Sequence, residues 1–495
     1  MCYKIVIPSY KREKIIKEKT LRLLDKHYID KKNIYIFVEE DELEIYKKEL
    51  LSDSNQYNII KGAKGIGNQR EAISNYFDEN ENIVSLDDDI DEIYDVGKPL
   101  VNLHYFIIDT INFLNANHLT LAGVYPVNNQ FFIKETITTD YRFLIGQFKI
   151  FINKKHLEKR SFELLEDYEN TIKHAIFSGG VMRYNYITLK ANYNSGKGGL
   201  KEYRTLERKT DEVKKFAKKY KSCSKTKKDG LEIQILSKPL RDEVSTLWIG
   251  KDLNKLSKLA ITSWLRLGYN VNLYINQNFN LPLDLKQFEL NGQLKFYNAE
   301  DILDTKKIKD ILPFSDLWRY TYLYNFGGTW LDADMILLRK LPDDKIIISS
   351  EHTFQSGAFK SKDLRICNIG VLRMPKGCEI LKTVIDKINA KGLNNTEFCD
   401  NMIIFRKIIN KSHYKTFIKP PDFFCPVPWW NADDIYKSNH YKTKYNVEVE
   451  NNEWIINNSF AVHCWNNFTY NKHNIDFSKI KKDSLYHILF HHYLN

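Results

Sequence analysis

Several features that would narrow a function prediction are missing from this 495-residue sequence. Its seven cysteines are scattered, odd in number and without a Cys-x-x-Cys pair, which argues against a disulfide framework and against a zinc site built from thiolates. No apolar run approaches the ~20 residues that a membrane-spanning helix needs. Residues 1–8 are too few and too strand-like for a signal peptide. We therefore expect a soluble, cytoplasmic protein without a membrane span.

The sequence also lacks an even distribution of charge, because most of its net charge of +11 comes from one segment. Residues 208–228 contain ten lysines and arginines against Asp211 and Glu212. Such a concentrated run is more often a solvated linker or helix face than a binding patch. We interpret residues 208–240 as a basic linker and do not expect a nucleic-acid partner; a nucleic-acid contact in this segment is the alternative.

The remaining sequence is rich enough in hydrophobic residues, at 43%, for two or three domains with real cores. Strand and helix patterns alternate in both halves, which is typical of an α/β fold with a mostly parallel, Rossmann-like sheet flanked by helices. We predict two such domains, at residues 1–207 and 241–495. The predicted strands are 3–8, 33–38, 57–60, 82–86, 246–250 and 270–275, and the predicted helices are 14–28, 40–51, 68–77 and 254–267.

The most specific pattern lies in the C-terminal half. Asp316 and Arg319 stand one turn apart on a predicted helix, and a Gly-Gly break then precedes a short apolar strand. That strand ends in Asp332 and Asp334. Two carboxylates at a strand end can bridge a divalent cation to a diphosphate. The pattern therefore predicts a site for a nucleoside diphosphate and a divalent cation.

The N-terminal half carries a second aspartate cluster, at residues 87–89, directly after a predicted strand. Three adjacent carboxylates repel one another unless solvent or a cation separates them; a turn or helix cap is the alternative. The loop 65–70 presents backbone N–H groups at a helix start, which suits an anion, unless it is a plain turn capped by Asn68. Asp167 could deprotonate an acceptor hydroxyl, or it could be one of two carboxylates on a helix surface.

Together with residues 4–12, Glu166-Asp167-Tyr168 and Gly198-Gly199-Leu200, these N-terminal motifs resemble the glycosyltransferase-A-type (GT-A) domains of large DNA viruses and phages, including the group associated with DNA-hydroxymethyl modification. The resemblance covers roughly residues 1–210. It implies a GT-A-like domain in which Asp87 and Asp89 lie near a metal ion and Asp167 is the catalytic base of an inverting reaction. The nucleotide-sugar-binding residues that we predict here are Pro8, Tyr10, Arg12, Glu39, Gly67, Asn68, Arg70 and Asp88.

The C-terminal motif, with Trp248-Ile249-Gly250 upstream and residues 462–466 downstream, resembles the sugar-binding DxD glycosyltransferases. These include glycosyltransferase family 32, the α-1,4-galactosyl- and N-acetylglucosaminyltransferases and the large clostridial glucosylating toxins. The resemblance implies a second GT-A-like domain and a retaining reaction. It also implies that Asp316 and Arg319 are catalytic residues that hold the donor sugar.

The same resemblance implies further site residues in this half. Asp332 and Asp334 hold the metal ion, and His463 lies near the metal or the diphosphate. Trp248 lies near the nucleobase, and Gly328 belongs to the donor site. For Trp248 ordinary core packing is the alternative, and for His463 the alternative is a buried histidine with satisfied hydrogen bonds.

We therefore predict a metal-dependent, bifunctional glycosyltransferase. Its donors are UDP- or GDP-sugars, its acceptor is a glycan or glycoprotein, and its cofactor is Mn²⁺ or Mg²⁺. Two alternatives stay open: only the C-terminal domain is catalytic, or the chain modifies DNA bases with the basic segment as its DNA contact.

Overall fold

The computed structural model describes residues 2–52, 56–191, 205–276, 278–305, 309–352, 366–395, 399–437, 451–466 and 477–494. The Gly198-Gly199-Leu200 motif lies outside these ranges. The chain divides into two compact units. The first comprises Met1–Leu240 with Lys286–Asn291, and the second comprises Arg241–Leu285 with Gly292–Asn495.

The first unit is built on an eight-stranded sheet of order β3-β2-β1-β4-β9-β7-β10-β8. The pairs among β1 to β4 are parallel, as is β7 with β10, whereas β9 runs antiparallel to β4 and β7. A smaller sheet contains β11, β5 and β6. The strands are β1 (Lys4–Pro8), β2 (Ile34–Val38), β3 (Asn58–Lys61), β4 (Asn82–Leu86), β5 (Ile90–Asp95), β6 (Lys98–Pro99), β7 (Leu121–Val124), β8 (Ile137–Thr138), β9 (Phe148–Ile152), β10 (Met182–Tyr184), β11 (Ile187–Ala191), β12 (Ser224–Thr226) and β13 (Ile233–Ile235).

Helices cover both faces of this sheet, which is why its central strands are apolar on both sides. Along β1, Ile5 and Ile7 pack into one apolar cluster while Val6 packs into the other, as the two-residue period of a strand requires. The first helix is interrupted by a π turn at Lys17–Leu21. The α-helices are α1 (Glu13–Ile16), α2 (Arg22–Lys26), α3 (Leu43–Leu50), α4 (Ile66–Tyr76), α5 (Leu103–Ala116), α6 (Lys155–Glu158), α7 (Glu166–Ser178) and α8 (Leu206–Lys219).

The segment predicted as a basic linker, 208–240, belongs to the first unit instead. Its first part lies in α8, and β12 and β13 form an antiparallel hairpin behind it. Val213 and Phe216 lie on one face of α8 and are fully buried in an apolar cluster, while Lys214 and Lys218 are exposed. The basic residues thus form the polar face of an amphipathic helix. The linker prediction is therefore corrected. It relied on the many charged residues and overlooked Val213 and Phe216, which are three positions apart and so lie on one face of a helix.

The second unit contains a six-stranded sheet of order β16-β15-β14-β17-β20-β19. Its first four strands are parallel, and β20 runs antiparallel to β17 and β19. A separate antiparallel pair joins β18 and β21. The strands are β14 (Glu243–Trp248), β15 (Asn270–Ile275), β16 (Leu294–Asn298), β17 (Gly328–Leu331), β18 (Met335–Leu337), β19 (Ile347–Glu351), β20 (Ile366–Met374) and β21 (Ala461–His463). The helices are α9 (Lys255–Arg266), α10 (Lys286–Leu290, grouped with the first unit), α11 (Ile311–Phe326), α12 (Glu379–Lys391), α13 (Asp400–Asn410), α14 (Pro421–Phe424), α15 (Asn452–Asn458) and α16 (Leu485–Leu494).

The predicted α/β fold class, with a mostly parallel sheet flanked by helices, is confirmed for both units. The predicted strand at 270–275 coincides with β15, and the predicted helix at 254–267 becomes α9 with one residue fewer at each end. Among the described residues, no helix combines the length and the apolar character that crossing a membrane requires.

We expect Phe216→Ala to lower the free energy of unfolding of the first unit by about 3–5 kcal/mol, because it removes a fully buried ring. The exposed Lys214→Ala, on the same helix, should change it by less than about 0.5 kcal/mol. Urea unfolding followed by circular dichroism measures both. Equal effects of the two variants, with protease cleavage inside 208–228 of the native protein, would restore the linker interpretation.

Candidate active sites

A cavity of about 700 Å³ opens in the first unit where its parallel strands end. Ligands of open α/β sheets bind at this carboxyl edge. The structure brings together there nearly all of the N-terminal residues that the sequence predicted. These are Pro8, Tyr10, Arg12, Glu39, Asn68, Arg70, Asp87, Asp88, Asp89 and Asp167.

Gly67 is the exception among the predicted residues. It is buried in the first turn of α4, where a Cβ atom would lie 3.3 Å from Arg160 Cβ and 3.5 Å from the carbonyl oxygen of Phe162. The missing side chain at Gly67 therefore lets α4 pack closely against the segment that contains Arg160 and Phe162, and Gly67 does not line the cavity. Gly65 does line the cavity, with a φ of +85° that favours glycine, directly before the helix begins.

Asp88 organises one wall of this cavity. It is buried, and it accepts hydrogen bonds from Ser9 Oγ at 2.6 Å and from Arg12 Nη1 at 2.9 Å. Burial raises the pKa of Asp88 to about 6, although the adjacent guanidinium opposes the shift. Tyr46 stabilises this wall, since its hydroxyl forms a hydrogen bond with Ser9 Oγ at 2.7 Å and accepts one from the Arg12 backbone N–H at 2.9 Å. Asp88 therefore positions Arg12.

The two flanking aspartates are also paired with arginines. Arg12 Nη1 lies 3.2 Å from Asp89 Oδ2, and Arg70 Nη2 lies 3.0 Å from Asp87 Oδ1. Arg70 is itself buried and also donates to the carbonyl oxygen of Gly146 at 3.1 Å. Within the described ranges, the first unit contains no group of three metal-ligating side chains. Metal binding by Asp87 and Asp89 therefore stays a prediction.

Asp167 lies in the first turn of α7, beside a buried ion-pair network. Its neighbour Glu166 lies 3.4 Å from Arg160 Nε, 3.6 Å from Arg70 Nε and 4.0 Å from Lys149 Nζ. These cations hold the pKa of Glu166 below its ordinary value despite burial. Burial and the charge of Glu166 raise the pKa of Asp167 to about 7. A carboxyl that titrates near neutrality suits the predicted role of a general base.

In the second unit, Asp332, Asp334 and His463 lie together, with one ligand atom from each within 4.8 Å of the others. His463 Nε2 is 3.4 Å from Asp334 Oδ1. Strand pairing produces this arrangement, because β18 follows Asp334 directly and its Met335 is paired with His463 of β21. It is the one such trio of carboxylate, imidazole or thiolate groups in the part of the chain that the structure describes.

The two carboxylates of this trio are held by different donors. Asp332 Oδ1 accepts from Trp330 Nε1 at 2.8 Å and lies 3.0 Å from Arg319 Nη1. Asp334 Oδ2 accepts from the backbone N–H of Asn466 at 2.7 Å. The sequence motif signalled neither Trp330 nor Asn466 as a partner of the aspartates.

Arg319 is only 5% exposed, and its guanidinium group is bonded to other groups of the protein. It donates to the carbonyl oxygen of Ile369 at 2.8 Å, pairs with Asp332, and lies 3.4 Å from Asp316 Oδ1. Burial raises the pKa of Asp316 to about 7; Arg319 opposes the shift and Asp332 adds to it. The structure thus places both predicted catalytic residues beside Asp332, with Arg319 in the protein interior.

His463 has the surroundings of a charged imidazole. Burial alone would lower its pKa, but the Asp334 carboxylate raises the pKa of His463 well above its ordinary value. Its ring stacks on Trp465 at a centroid distance of 3.9 Å, and Nδ1 lies 3.8 Å from Cys425 Sγ. His463 is therefore also a buried histidine with polar partners, Asp334 and Cys425, which is the alternative that the sequence left open. Trp465 lies two residues after His463, within the motif 462–466, whereas Cys425 comes from a distant part of the chain, so the sequence carried no signal for it.

Trp248 and Gly328 differ in their placement. Trp248 is partly exposed at the end of β14, whose carboxyl edge is shared with the parallel strand β17 that leads to Asp332. Gly328 begins β17 at its opposite end, about 10 Å from Leu331 along the strand. The neighbouring Gly327, at φ +69°, has no room for a Cβ atom, which would lie 2.5 Å from Lys376 N. Gly328 therefore belongs to the helix–strand turn, away from the carboxylates.

Comparison with known families gives three matches, all C-terminal to residue 213. Residues 214–353 match "Glycosyltransferase sugar-binding region containing DXD motif". Residues 394–493 match "Alpha 1,4-glycosyltransferase conserved region", and residues 298–425 match "Capsular polysaccharide synthesis protein". None of the three covers half of the chain. The matched regions include Asp316, Arg319, Asp332, Asp334 and His463.

Curated relatives include the lactosylceramide 4-alpha-galactosyltransferases of Rattus norvegicus and Mus musculus. The rat protein is 26% identical over 172 residues, which is 32% of this chain and 41% of the relative. The mouse protein is 25% identical over 201 residues, which is 37% of this chain and 49% of the relative. The chain thus matches less than half of the length of these two relatives.

Solved structures give only remote likenesses. The galactosyltransferase LgtC, in complex with donor and acceptor sugar analogs, aligns with a TM-score of 0.24 and 12% identity over 37% of this chain and 74% of its own. Glucosyl-3-phosphoglycerate synthase from Mycobacterium tuberculosis aligns with a TM-score of 0.27 and 10% identity over 48% and 87%. TM-scores this low support no argument about fold or function.

We expect Asp167→Asn to stabilise the protein increasingly as pH rises. Because its pKa is raised, the folded state retains the Asp167 proton between about pH 4 and about pH 7, where the unfolded state has lost it, so the wild type loses stability progressively across that window and the loss is complete above it. The variant has no such charge, and its melting temperature relative to wild type should increase between pH 5 and pH 8. Asp78→Asn, at an exposed carboxyl, is the matched control. A difference that does not change with pH would contradict the assignment.

Proposed function

We propose that the second unit is a metal-dependent glycosyltransferase that takes a hexose from a UDP- or GDP-sugar and transfers it with retention of configuration. The observation that carries this proposal is the trio of Asp332, Asp334 and His463 beside Asp316 at the carboxyl edge of a mostly parallel sheet. The match of residues 214–353 to a sugar-binding DXD region supports it. The relatives named as galactosyltransferases support a hexose as the transferred group.

The donor set fits Mn²⁺ or Mg²⁺. Carboxylates suit both ions, and the imidazole of His463 favours Mn²⁺ in its neutral form, so binding of the ion would displace the proton that Asp334 otherwise stabilises. A bound cation would neutralise charge on the leaving diphosphate. Trp330 and Arg319 orient Asp332, and the Asn466 N–H orients Asp334, so both carboxylates are positioned by partners within the protein.

Asp316 is the residue of this group best suited to contact the donor sugar. Its side chain is 15% exposed, against 6% for that of Arg319. A carboxyl with a pKa near 7 can accept a hydrogen bond from a sugar hydroxyl or donate one to it. Arg319 then acts through Asp316 and Asp332 as a positioning residue, which modifies the direct sugar contact that the family resemblance implied.

We further propose a second transferase site in the first unit, which makes the protein bifunctional. We call the cavity of about 700 Å³ in this unit the donor cavity; its lining includes Arg12, Arg70 and residues 87–89. Two guanidinium groups can bind the diphosphate of a nucleotide sugar. Asp167 on its wall serves as the base of an inverting reaction. In the alternative, this unit binds a nucleotide sugar without transferring it. A DNA-contacting linker receives no support from a segment that is folded as α8 and a hairpin.

We also propose a glycan or glycoprotein acceptor and a cytoplasmic location. The family models named for sugar transfer and polysaccharide synthesis support the acceptor class. All seven cysteines lie within the described ranges and none of them forms a disulfide, which supports a reducing compartment.

A panel of nucleotide sugars, read by release of UDP or GDP, tests both sites. We expect the double variant Asp332→Asn, Asp334→Asn to lower one metal-dependent activity by more than about 100-fold, because the cation contributes several kcal/mol of charge stabilisation. The double variant Asp87→Asn, Asp89→Asn should lower a different one. EDTA should stop the first activity and Mn²⁺ should restore it. Full activity of the first double variant would refute the proposed function, and full activity of the second would refute bifunctionality.

A second test concerns the indole that orients Asp332. We expect Trp330→Phe to weaken Mn²⁺ binding by about 10-fold or more, because Asp332 loses its hydrogen-bond donor while the ring position stays filled. Trp318→Phe is the matched control, since it removes an equally buried indole N–H that bonds the carbonyl oxygen of Ala299. Mn²⁺ titration measures both. An equal loss in both variants would show that the effect is general destabilisation.

A further inference from the structure

A second groove, of about 560 Å³, lies in the first unit and is strongly basic. Four of its lining side chains are cationic, and none is acidic. Arg142 precedes β9, Arg183 lies on β10, and Lys225 and Lys238 come from the hairpin segment that the sequence predicted as a linker. We name this space the basic groove.

Most of the positive charge in the basic groove is not balanced by nearby acids. Arg142 pairs with Asp140, at 2.7 and 3.0 Å. Arg183 instead donates to uncharged oxygens, those of the Asn185 side chain at 2.8 Å and the Phe143 carbonyl at 3.3 Å. Burial and the nearby Arg142 lower the pKa of Arg183, and Tyr125 and Asp140 offset this shift only in part.

The two lysines complete this charge. Lys225 and Lys238 are exposed, and neither makes an ion pair with any residue that the structure describes. Within the described ranges, three of the four cations of the basic groove therefore make no ion pair. Such a concave cluster of one sign attracts an oppositely charged ligand.

The basic groove adjoins the donor cavity through a short stretch of chain. Arg142 and Phe143 line the groove, and two residues later Ile145 and Gly146 line the donor cavity. Leu144, between them, is buried. The groove therefore begins within a few residues of the donor cavity.

Contacts with α7 fix this stretch beside the predicted base. The Leu144 N–H donates to Thr171 Oγ1 at 3.3 Å, and Thr171 Oγ1 donates to the Asp167 carbonyl oxygen at 2.8 Å. The Phe143 ring stacks on Tyr168, the residue after Asp167, at 4.1 Å and 24°. The groove wall at Phe143 and the predicted base Asp167 are thus both held by the first two turns of α7.

We propose that the basic groove binds the acceptor of the first unit, and that this acceptor is a carbohydrate carrying a phosphate or a carboxylate. This inference rests on the proposed transferase function of that unit. In the reaction, the acceptor hydroxyl oxygen bonds to the anomeric carbon of the donor, the bond from that carbon to the diphosphate breaks, and the hydroxyl proton passes to Asp167. The cations of the groove hold the acceptor's own anionic group.

The aromatic side chains of the groove argue against single-stranded nucleic acid as its ligand. Nucleic-acid channels present exposed rings on which bases stack. Here Tyr141 is only 2% exposed, and the face of Phe143 is covered by Tyr168. The groove therefore offers charge without a stacking surface.

The test compares binding of glucose 6-phosphate, glucuronate and uncharged glucose to the full chain by saturation-transfer NMR titration. We expect both anions to bind more tightly than glucose and to weaken as salt is added. The double variant Lys225→Gln, Lys238→Gln should weaken anion binding by about tenfold. The double variant Lys214→Gln, Lys218→Gln is the control, because it removes the same charge from exposed positions on α8. It should bind as the wild type does.

The arms of this titration separate the sources of the anionic group. Binding of glucose 6-phosphate alone supports a phosphorylated acceptor, and binding of glucuronate alone supports an acidic sugar. Equal binding of glucose, equal loss in the control variant, or binding of a thymidine oligonucleotide in place of both sugars would overturn the inference. Donor hydrolysis by the groove variant should stay at the wild-type level. Failure of the inference is therefore distinct from failure of the proposed transferase, which the donor panel decides.

Discussion

Ion pairs between arginine and the aspartates that follow the central strands hold both candidate sites together. Carboxylates crowded at a strand end repel one another, and burial makes their charged forms costlier still. Arg12 and Arg70 offset this repulsion in the first unit, and Arg319 does so in the second. Arg70 and Arg319 are also held by hydrogen bonds to the carbonyl oxygens of Gly146 and Ile369, so the geometry of their carboxylate partners depends on them. Removing one would leave a buried charge uncompensated, which destabilises more than the pair itself contributes.

The two units use this interaction differently, and the difference underlies their proposed chemistry. In the first unit every member of the aspartate cluster 87–89 already has a guanidinium within 3.2 Å. In the second, Arg319 pairs with Asp332 while Asp334 faces His463, a partner that can itself ligate a metal. In the second site a metal ligand therefore stands beside Asp334, whereas in the first site all three aspartates are paired with arginines.

The basic segment illustrates how packing changes the meaning of a charge run. Its lysines are solvated, as the sequence indicated, but Val213 and Phe216 anchor its helix to the first unit. The hairpin that follows then forms a wall of the basic groove with Lys225 and Lys238. In a flexible linker these positive charges would be spread along the chain. In the folded hairpin, Lys225 and Lys238 face one concave surface, which is the physical basis for the anionic acceptor that we infer.

The sequence by itself determined the local patterns: the alternation of strands and helices, the aspartates at strand ends and the Asp-x-Asp after β17. These depend on periodicity and turn chemistry between neighbours in the chain, which short windows contain. Only the tertiary structure decided which groups meet and which are buried. Arg12 reaches Asp88 across 76 positions, and His463 reaches Asp334 through the pairing of β18 with β21. The burial of Arg319 and the placement of Gly67 and Gly328 away from the ligand sites follow likewise from partners distant in sequence, because packing and electrostatic compensation are properties of the assembled interior.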